Sequence, residues 1–335
     1  MNLYTVTIII PVYNTEEYLK ECLDSVVNQT FKDFECICIN DGSTDNSLKI
    51  LEEYSKKDNR FTVINLPENK GQGKARNEGL KIAKGKYITF IDSDDWIKQN
   101  HIEKLYNSII KYKTDIVLNS FSNINIYLKR SLCNKIIKTH EEKKHLFLYE
   151  PLFSMNFIAE KKFITDKQIL FPNNKKNEDL LFLFCAFANE SKIVYINNKS
   201  YFYRIINNCS TTQKFKISHK TDYTDLFNLF TDILNVFKQA QTFDIYKKEI
   251  YCYLLLLFCR ELPKKNLSKQ EYSNAIQCFK DNFYQDNFDF LRIKKFRNKI
   301  RLAIFCFCLK FNINYTKTGQ LLKSINNLFY CKTIR

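Results

Sequence analysis

Between Thr5 and Ile91 the chain switches hydrophobic period six times, and this alternation leaves few folds open to it. "TVTIII" (5–10) is β-branched and reads as a buried strand. "NTEEYLKECLDSVVNQ" follows, with Tyr18, Leu19, Cys22, Leu23, Val26 and Val27 at helical spacing, and Asn14 with Glu17 predicts a capping-box start. "FECICIN" (34–40) is a second strand, and "DNSLKILEEYSKK" (45–57) a second helix with Asp45 as its expected N-cap. "FTVINL" (61–66) is a third strand, "GKARNEGLKIAKG" a third helix closed by Gly85, and "KYITFI" (86–91) a fourth strand. Strands that alternate with helices imply an α/β fold whose mostly parallel sheet is covered by helices on both faces.

In such a sheet, ligands bind beyond the carboxyl ends of the strands. The polar stretches fall there: "PVYN" after the first strand, "DGSTD" after the second, "DSDD" after the fourth. Right-handed crossovers bring these ends to one edge. The last stretch poses a problem of charge, because Asp92, Asp94 and Asp95 follow a buried-type strand with only Ser93 between them. Two carboxylates about 5 Å apart repel by roughly 3 kcal/mol at an effective dielectric of ~20, so solvent or a cation must relieve them. The DxD spacing of Asp92 and Asp94 suits one hard cation, Mg²⁺ or Mn²⁺, which takes oxygen ligands and bridges to substrate phosphates. Asp41, at the end of the second strand, is placed to accept hydrogen bonds from a base or ribose. Taken singly, each piece has a plainer reading: an N-cap for "DSDD", a turn for "DGSTD", a helix start for "GKARNEG". Their order along one sheet edge favours a site. Neither GxGxxG nor GxxxxGK[ST] is present, so dinucleotide and P-loop phosphate binding are not indicated.

With 335 residues and 45% hydrophobic content, the chain can build two domains, or one with a large extension. The densest apolar patches, "LLFLFCAFA" (180–188) and "LAIFCFCL" (302–309), are too short to span a bilayer, and the start "MNLYTVTIIIPVYN" lacks a secretory pattern, so a cytoplasmic location is expected. Several of the 12 cysteines sit inside apolar runs and none forms a CxxC pair, which points to free buried thiols rather than disulfides or structural zinc. Five of the six glycines (Gly42, Gly71, Gly73, Gly79, Gly85) precede residue 86, where backbone geometry demands them. Beyond the first hundred residues we expect a helix near 100–112, a strand near "TDIVLNS", a helix over 178–188, strands at "KIVYIN" and "SYFYRI", and mostly helix after 218.

The stretches "PVYN" (11–14), "DGSTD" (41–45), "NKGQGKARNEG" (69–79), "FIDSDD" (90–95), "NED" (177–179) and "YFYR…CSTT" (201–212) together resemble glycosyltransferase family 2, inverting enzymes of GT-A fold common in bacterial capsule and lipooligosaccharide assembly. The resemblance covers about residues 1–212. It implies a catalytic domain over 1–217, with a nucleotide-binding half (1–112) and an acceptor half (113–217); the helical region over 218–335, with its basic amphipathic tail, is read from the residue pattern and carries no motif of the family. It implies further that Pro11, Val12, Tyr13 and Asn14 line the nucleotide pocket and that Asp41 contacts uracil or ribose. Asp92 and Asp94 become metal ligands for Mn²⁺ or Mg²⁺, with Ser93 between them and Asp94 the favoured direct ligand. Arg76 lies near the sugar or diphosphate, and Asp179 is the general base. The implied reaction moves a hexose or N-acetylhexosamine from a UDP-sugar to a saccharide or lipid-linked saccharide. Where many relatives carry a Trp and a Lys before the acidic pair, this chain reads "MNFIAEKKF" (155–163), a departure on the acceptor side.

Other features have competing readings. His140 and His145, in "THEEKKH", fit a solvated helix face better than a metal site. Trp96 anchors the acid loop or covers a sugar, and Arg204 either approaches a diphosphate or ends an ordinary strand. The net charge is +16, and Phe290 to Arg335 holds 11 Lys/Arg and no Asp/Glu. There Ile293, Phe296, Ile300, Ile304, Phe307 and Phe311 form one helical stripe, with Lys294, Lys295, Lys299 and Arg301 off it. This pattern suits an anionic membrane surface at the inner face of the cytoplasmic membrane, or a helix packed on the protein. Two other functions compete with this reading. A sugar-phosphate nucleotidyltransferase expects Gly and a basic residue after the first strand, where "PVYNTEEYL" has neither. A non-catalytic polyanion- or membrane-binding protein fits the tail, but an acidic cleft disfavours specific nucleic acid.

Overall fold

A computed structural model of the protein describes residues 4–119, 122–123, 135–137, 157–172, 178–189, 192–204, 224–261 and 268–283. The central strand is β1 (Tyr4–Val12), buried from Val6 onward. Parallel to it lie β2 (Phe34–Asp41), in register Ile8↔Cys36, and β4 (Gly85–Phe90), in register Ile8↔Thr89. Outside β2 runs β3 (Phe61–Leu66), also parallel. Because β1 and β2 are buried on both faces, their near-continuous apolar runs need no alternation.

The even-numbered residues Val6, Ile8 and Ile10 of β1, with Cys36 and Cys38 of β2, face a core shared with α1 (Glu16–Val27), α2 (Ser47–Lys57) and α4 (His101–Tyr112). Leu19, Cys22, Leu23 and Val26 are the buried side of α1 and Ile102, Leu105 and Ile109 that of α4. Each such aliphatic side chain contributes about 1.5–3 kcal/mol on full burial. The opposite face carries α3 (Gln72–Ile82), and Gly79 lets it approach closely: a Cβ there would lie 2.7 Å from Ile9 Cγ2 and 3.0 Å from Ile39 Cδ1.

The sheet is mostly parallel, as expected, and also takes in antiparallel strands. Its order is β3-β2-β1-β4-β9-β6-β10-β8, in which β9 (Phe157–Glu160) is antiparallel to both β4 and β6 (Ile116–Asn119). Beyond them β10 (Ile193–Ile196) is parallel to β6, and β8 (Lys135–Ile137) is antiparallel to β10. The strand β9 lies inside "MNFIAEKKF" and had no signal of its own, since four residues hold too little alternation to reveal a strand. A three-stranded sheet of β5 (Trp96–Ile97), β11 (Tyr201–Tyr203) and β7 (Ser122–Asn123) completes the strands described. Among the described residues, two helices follow β9 and precede β10: α5 (Lys161–Asp166) and α6 (Glu178–Ala188).

The predicted caps are corrected. Asn14 does not begin a capping box; it is left-handed (φ 51°) and its Oδ1 accepts the Thr44 N–H at 2.8 Å. Asp45 serves both helix starts, accepting the Ser47 N–H at 2.9 Å and the Glu16 N–H at 3.0 Å. Glu16 in turn accepts the Asn46 N–H at 2.9 Å. Acids shared across two helix N-termini satisfy orphan donors and complement both dipoles. Gly85 does not close α3, which ends at Ile82 with Ala83 as its C-cap; it starts β4, where a Cβ would lie 2.5 Å from the Thr7 nitrogen.

The chain divides into two compact units, Met1–Thr139 with Leu152–Ser210, and His140–Pro151 with Thr211–Arg335. In the second unit α7 (Thr224–Gln239), α8 (Phe243–Glu261) and α9 (Lys269–Phe283) form a helical cluster around Phe230, Phe258 and Phe279, the last two stacked at 4.3 Å. Among the described residues, no helix is long and apolar enough to cross a membrane. Cys22, Cys36, Cys38, Cys185 and Cys278 are free thiols. The basic stretch 290–335, His140, His145 and "CSTT" lie outside the described residues.

Candidate functional site

The site is built where β1, β2 and β4 end. At β1, Val12 turns its side chain into the core, Tyr13 is exposed, and the bent backbone at Asn14 joins the 42–45 loop through the Asn14 N–H to Ser43 Oγ bond (3.1 Å). At β2, Asp41 is buried, and its two carboxylate oxygens accept the N–H groups of Lys70 and Gly71, each at 2.8 Å. Gly42 follows with φ +68°, and a Cβ there would meet the Asn69 nitrogen at 2.6 Å. Only glycine fits that combination of left-handed backbone and close crossing. The first use of Asp41 is therefore to hold the 68–71 loop over the end of β2. Contact with a base or ribose would use its remaining lone pairs.

After β4, the Asp95 N–H bonds back to the Asp92 carbonyl at 3.1 Å, a tight turn that gathers the acids. One carboxylate oxygen from each of Asp92, Asp94 and Asp95 lies within 4.8 Å of the others. Ser93 Oγ accepts from Thr15 Oγ1 at 3.0 Å, tying the turn to the start of α1.

Each acid meets the repulsion differently. Asp92 pairs with Arg76 of α3, whose Nη2 lies 2.8 Å from its Oδ1. The same buried guanidinium reaches Glu178 Oε1 at 3.3 Å and lies over the Phe171 ring, so one cation joins the acid turn to the start of α6. Burial opposes its charge, but the carboxylates of Asp92 and Glu178 outweigh that and hold its pKa above the usual value. Asp95 accepts the Tyr201 hydroxyl at 2.7 Å and the Arg204 N–H at 2.8 Å. Even so, burial and then the charges of Asp92 and Asp94 push its pKa up to about 9. Asp94 is raised to about 6, by burial and then by Asp92. Burial and repulsion therefore favour protonation of Asp94 and Asp95, and three hard oxygen donors gathered this closely are a set that a divalent cation relieves. The residues thus fit Mg²⁺ or Mn²⁺.

Asp179, in the first turn of α6, accepts the Leu180 N–H at 2.9 Å. Burial and then Glu178 raise its pKa to about 6, while Arg76 opposes the rise and Asp92 adds to it. Asp179 therefore shares one electrostatic environment with the acid turn. Arg204 donates from Nε to the Asp94 carbonyl at 2.9 Å, and its guanidinium lies over the rings of Tyr18 and Trp96 at 4.7 and 4.6 Å. Trp96 stacks on Phe202 at 5.3 Å, which makes it an anchor of the loop.

Arg76, Asp92, Ser93, Asp94 and Asp179 are thus gathered, with Asp41, Pro11 and Asn14 at the ends of the neighbouring strands. Asp95, already one of the three acids of the sequence, joins them, and the geometry adds Glu178 and Tyr201. Glu178 was visible only as a neighbour of a motif residue; for Tyr201 the one signal was its place in "YFYR".

A family model described as "Glycosyl transferase family 2" matches residues 7–155. The glycosyltransferase GlyA of Streptococcus pneumoniae is 34% identical over 220 residues, which are 60% of this chain and 30% of GlyA. GlyG of the same organism is 30% identical over 235 residues, 67% of this chain and 78% of GlyG. The chain thus spans under a third of the first relative and most of the second. The crystal structure of Staphylococcus aureus TarS 1-349 in complex with UDP-GlcNAc has a TM-score of 0.66 at 22% identity, covering 97% of this chain and 92% of that one, and so shares the fold. TarS is described as a poly(ribitol-phosphate) beta-N-acetylglucosaminyltransferase, and 32% identity extends over 203 residues, 59% of this chain and 35% of TarS.

Proposed function

Because the chain belongs to glycosyltransferase family 2, we propose that it moves a hexose or N-acetylhexosamine from a UDP-sugar to a hydroxyl of a saccharide or lipid-linked saccharide, with inversion, in cell-surface polysaccharide assembly. The observation that carries this reading is the meeting of Asp92, Asp94 and Asp95 within 4.8 Å, joined through Arg76 to the helix that bears Asp179. A fold shared with a protein crystallised with UDP-GlcNAc supports a UDP-sugar donor. Family membership also favours transfer over the nucleotidyltransferase and binding-protein alternatives.

The residues divide the work as follows. Pro11, Tyr13, Asn14, Asp41 and the 68–71 loop that Asp41 holds form the base and ribose side, while the side chain of Val12, expected there too, packs in the core instead. Asp92 and Asp94 would hold Mn²⁺ or Mg²⁺, which when bound supplies electrostatic stabilisation to a departing diphosphate. Arg76 fixes the Asp92 carboxylate and balances its charge. Asp179 takes the proton of the acceptor hydroxyl as that oxygen bonds to the anomeric carbon and the bond from carbon to the UDP oxygen breaks. A base with a pKa of about 6 is ionised at neutral pH and still able to accept a proton in the transition state. The basic tail would hold the protein at an anionic membrane, where lipid-linked acceptors reside, each basic residue contributing about 1 kcal/mol.

A UDP-release assay across a panel of nucleotide sugars, with and without Mn²⁺, tests this. We expect release with a UDP-hexose or UDP-N-acetylhexosamine that depends on the ion; release with none of the panel would overturn the proposal. For the tail, a chain cut at residue 288 should lose flotation with anionic liposomes, and unchanged flotation would remove the membrane from the proposal.

A further inference from the structure

The acid turn rests on a strand far away in sequence. Tyr201 of β11 is fully buried, and its hydroxyl is used twice: it accepts the Asp92 N–H at 3.1 Å and donates to Asp95 Oδ2 at 2.7 Å. The next strand residues continue the grip. Phe202 pairs with Trp96, and Arg204 donates its N–H to Asp95 Oδ1 at 2.8 Å and its Nε–H to the Asp94 carbonyl at 2.9 Å. Asp95 has both carboxylate oxygens engaged by β11 and its neighbour, while the side chain of Asp92 is engaged by Arg76. The three acids are therefore not equivalent. Asp95 faces its supporting strand, and the main chain on either side of Asp94 is held from below.

We infer that Tyr201 is a positioning residue, whose buried hydroxyl sets the main chain of the 92–95 turn through the Asp92 amide and the Asp95 carboxylate and so aims Asp94. The inference rests on reading that turn as the donor-side acid loop. A hydroxyl with one acceptor role and one donor role at fixed distances restrains the turn as no apolar ring can. Misplacement by about 1 Å at a reacting centre costs about a hundredfold in rate.

The variant Tyr201→Phe keeps the ring and removes the hydroxyl. The comparison variant is Ser200→Ala, which removes the neighbouring buried bond to His101 Nδ1 (2.7 Å) and does not touch the turn. Three measurements are made on the full chain: thermal stability, hydrogen exchange of the peptide over residues 88–97, and kcat and KM for the UDP-sugar that wild type uses. We expect both variants to lose stability. Only Tyr201→Phe should speed exchange at the Asp92 amide and lower kcat by about tenfold or more, with KM changed little. Asp95→Ala, which removes the bond to Asp95 and leaves that to the Asp92 amide, should also lower kcat, and the double variant should lose less than the two losses combined, because the variants share one bond. Wild-type exchange and kcat in Tyr201→Phe, beside an inactive Asp94→Ala, would overturn the inference alone. Full activity in Asp94→Ala would overturn the reading of the turn and this inference with it.

Discussion

Replacing Arg76 by methionine is the sharpest test of how the acid turn is held together. The guanidinium is 2% exposed and makes ion pairs of 2.8 Å with Asp92 and 3.3 Å with Glu178. At an effective dielectric of ~20 those separations correspond to attractions of about 6 and about 5 kcal/mol, before the cost of burying three charges is subtracted. Removing one partner of a buried pair costs about 3–5 kcal/mol, because the remaining charge is left without compensation. Methionine preserves most of the packing against Phe171, so the loss is electrostatic. We expect Arg76→Met to lower unfolding free energy by about 3–5 kcal/mol, a large share of the ~5–15 kcal/mol typical of a domain. Urea titration followed by the fluorescence of Trp96, the only tryptophan, reports this from within the acid loop. Adding Asp92→Asn to Arg76→Met should restore part of the stability, since it removes one of the two stranded charges and leaves that of Glu178, and the cycle should show a coupling well above about 0.5 kcal/mol. A loss under about 1 kcal/mol, or strict additivity, would refute the assignment of Arg76 as the counterion of Asp92.

Three further outcomes follow from other parts of the structure. Asp179→Asn should lower kcat by about 10²–10⁴ while UDP binding survives, and log(kcat/KM) of wild type should fall as pH drops through about 6, because the base works only when ionised; normal turnover in the variant removes Asp179 from the mechanism. His101 is buried beside Ser200, and burial holds its pKa down to about 3, below the unfolded value of about 6.5; its stabilising effect is complete above pH 6.5 and declines by about 1.4 kcal/mol per pH unit below that, so His101→Gln should flatten stability between pH 6.5 and 3 relative to wild type. Gly79→Ala should lower the melting temperature through overpacking worth about 1–3 kcal/mol, since its Cβ would press on Ile9 and Ile39; an unchanged melting temperature would mean that α3 shifts freely on the sheet.

Much of the donor side was legible in the sequence because it depends on short-range pattern. The β-branched runs became β1 to β4, the helical spacing of Leu19, Cys22, Leu23 and Val26 became the buried side of α1, and the acids fell at the strand ends. The caps were less legible. Asn14 finds its partner across the sheet edge, and Asp45 bonds the nearby Ser47 N–H and also the Glu16 N–H across that edge, so spacing along the chain showed only part of the bonding. The antiparallel β9 was invisible because its four residues pair with β4 and β6 rather than with anything nearby.

By itself the sequence determined the strands and helices of the first hundred residues, and that three carboxylates gather where a strand ends, since both follow from side-chain period over a few residues. Only the tertiary structure decided how those charges are answered: Arg76 reaches Asp92 from 16 residues away, Glu178 joins from 102, and Tyr201 grips Asp95 from 106. Coulomb and hydrogen-bond partners are chosen by distance in space, and crossover connections set that distance without leaving a mark on local spacing.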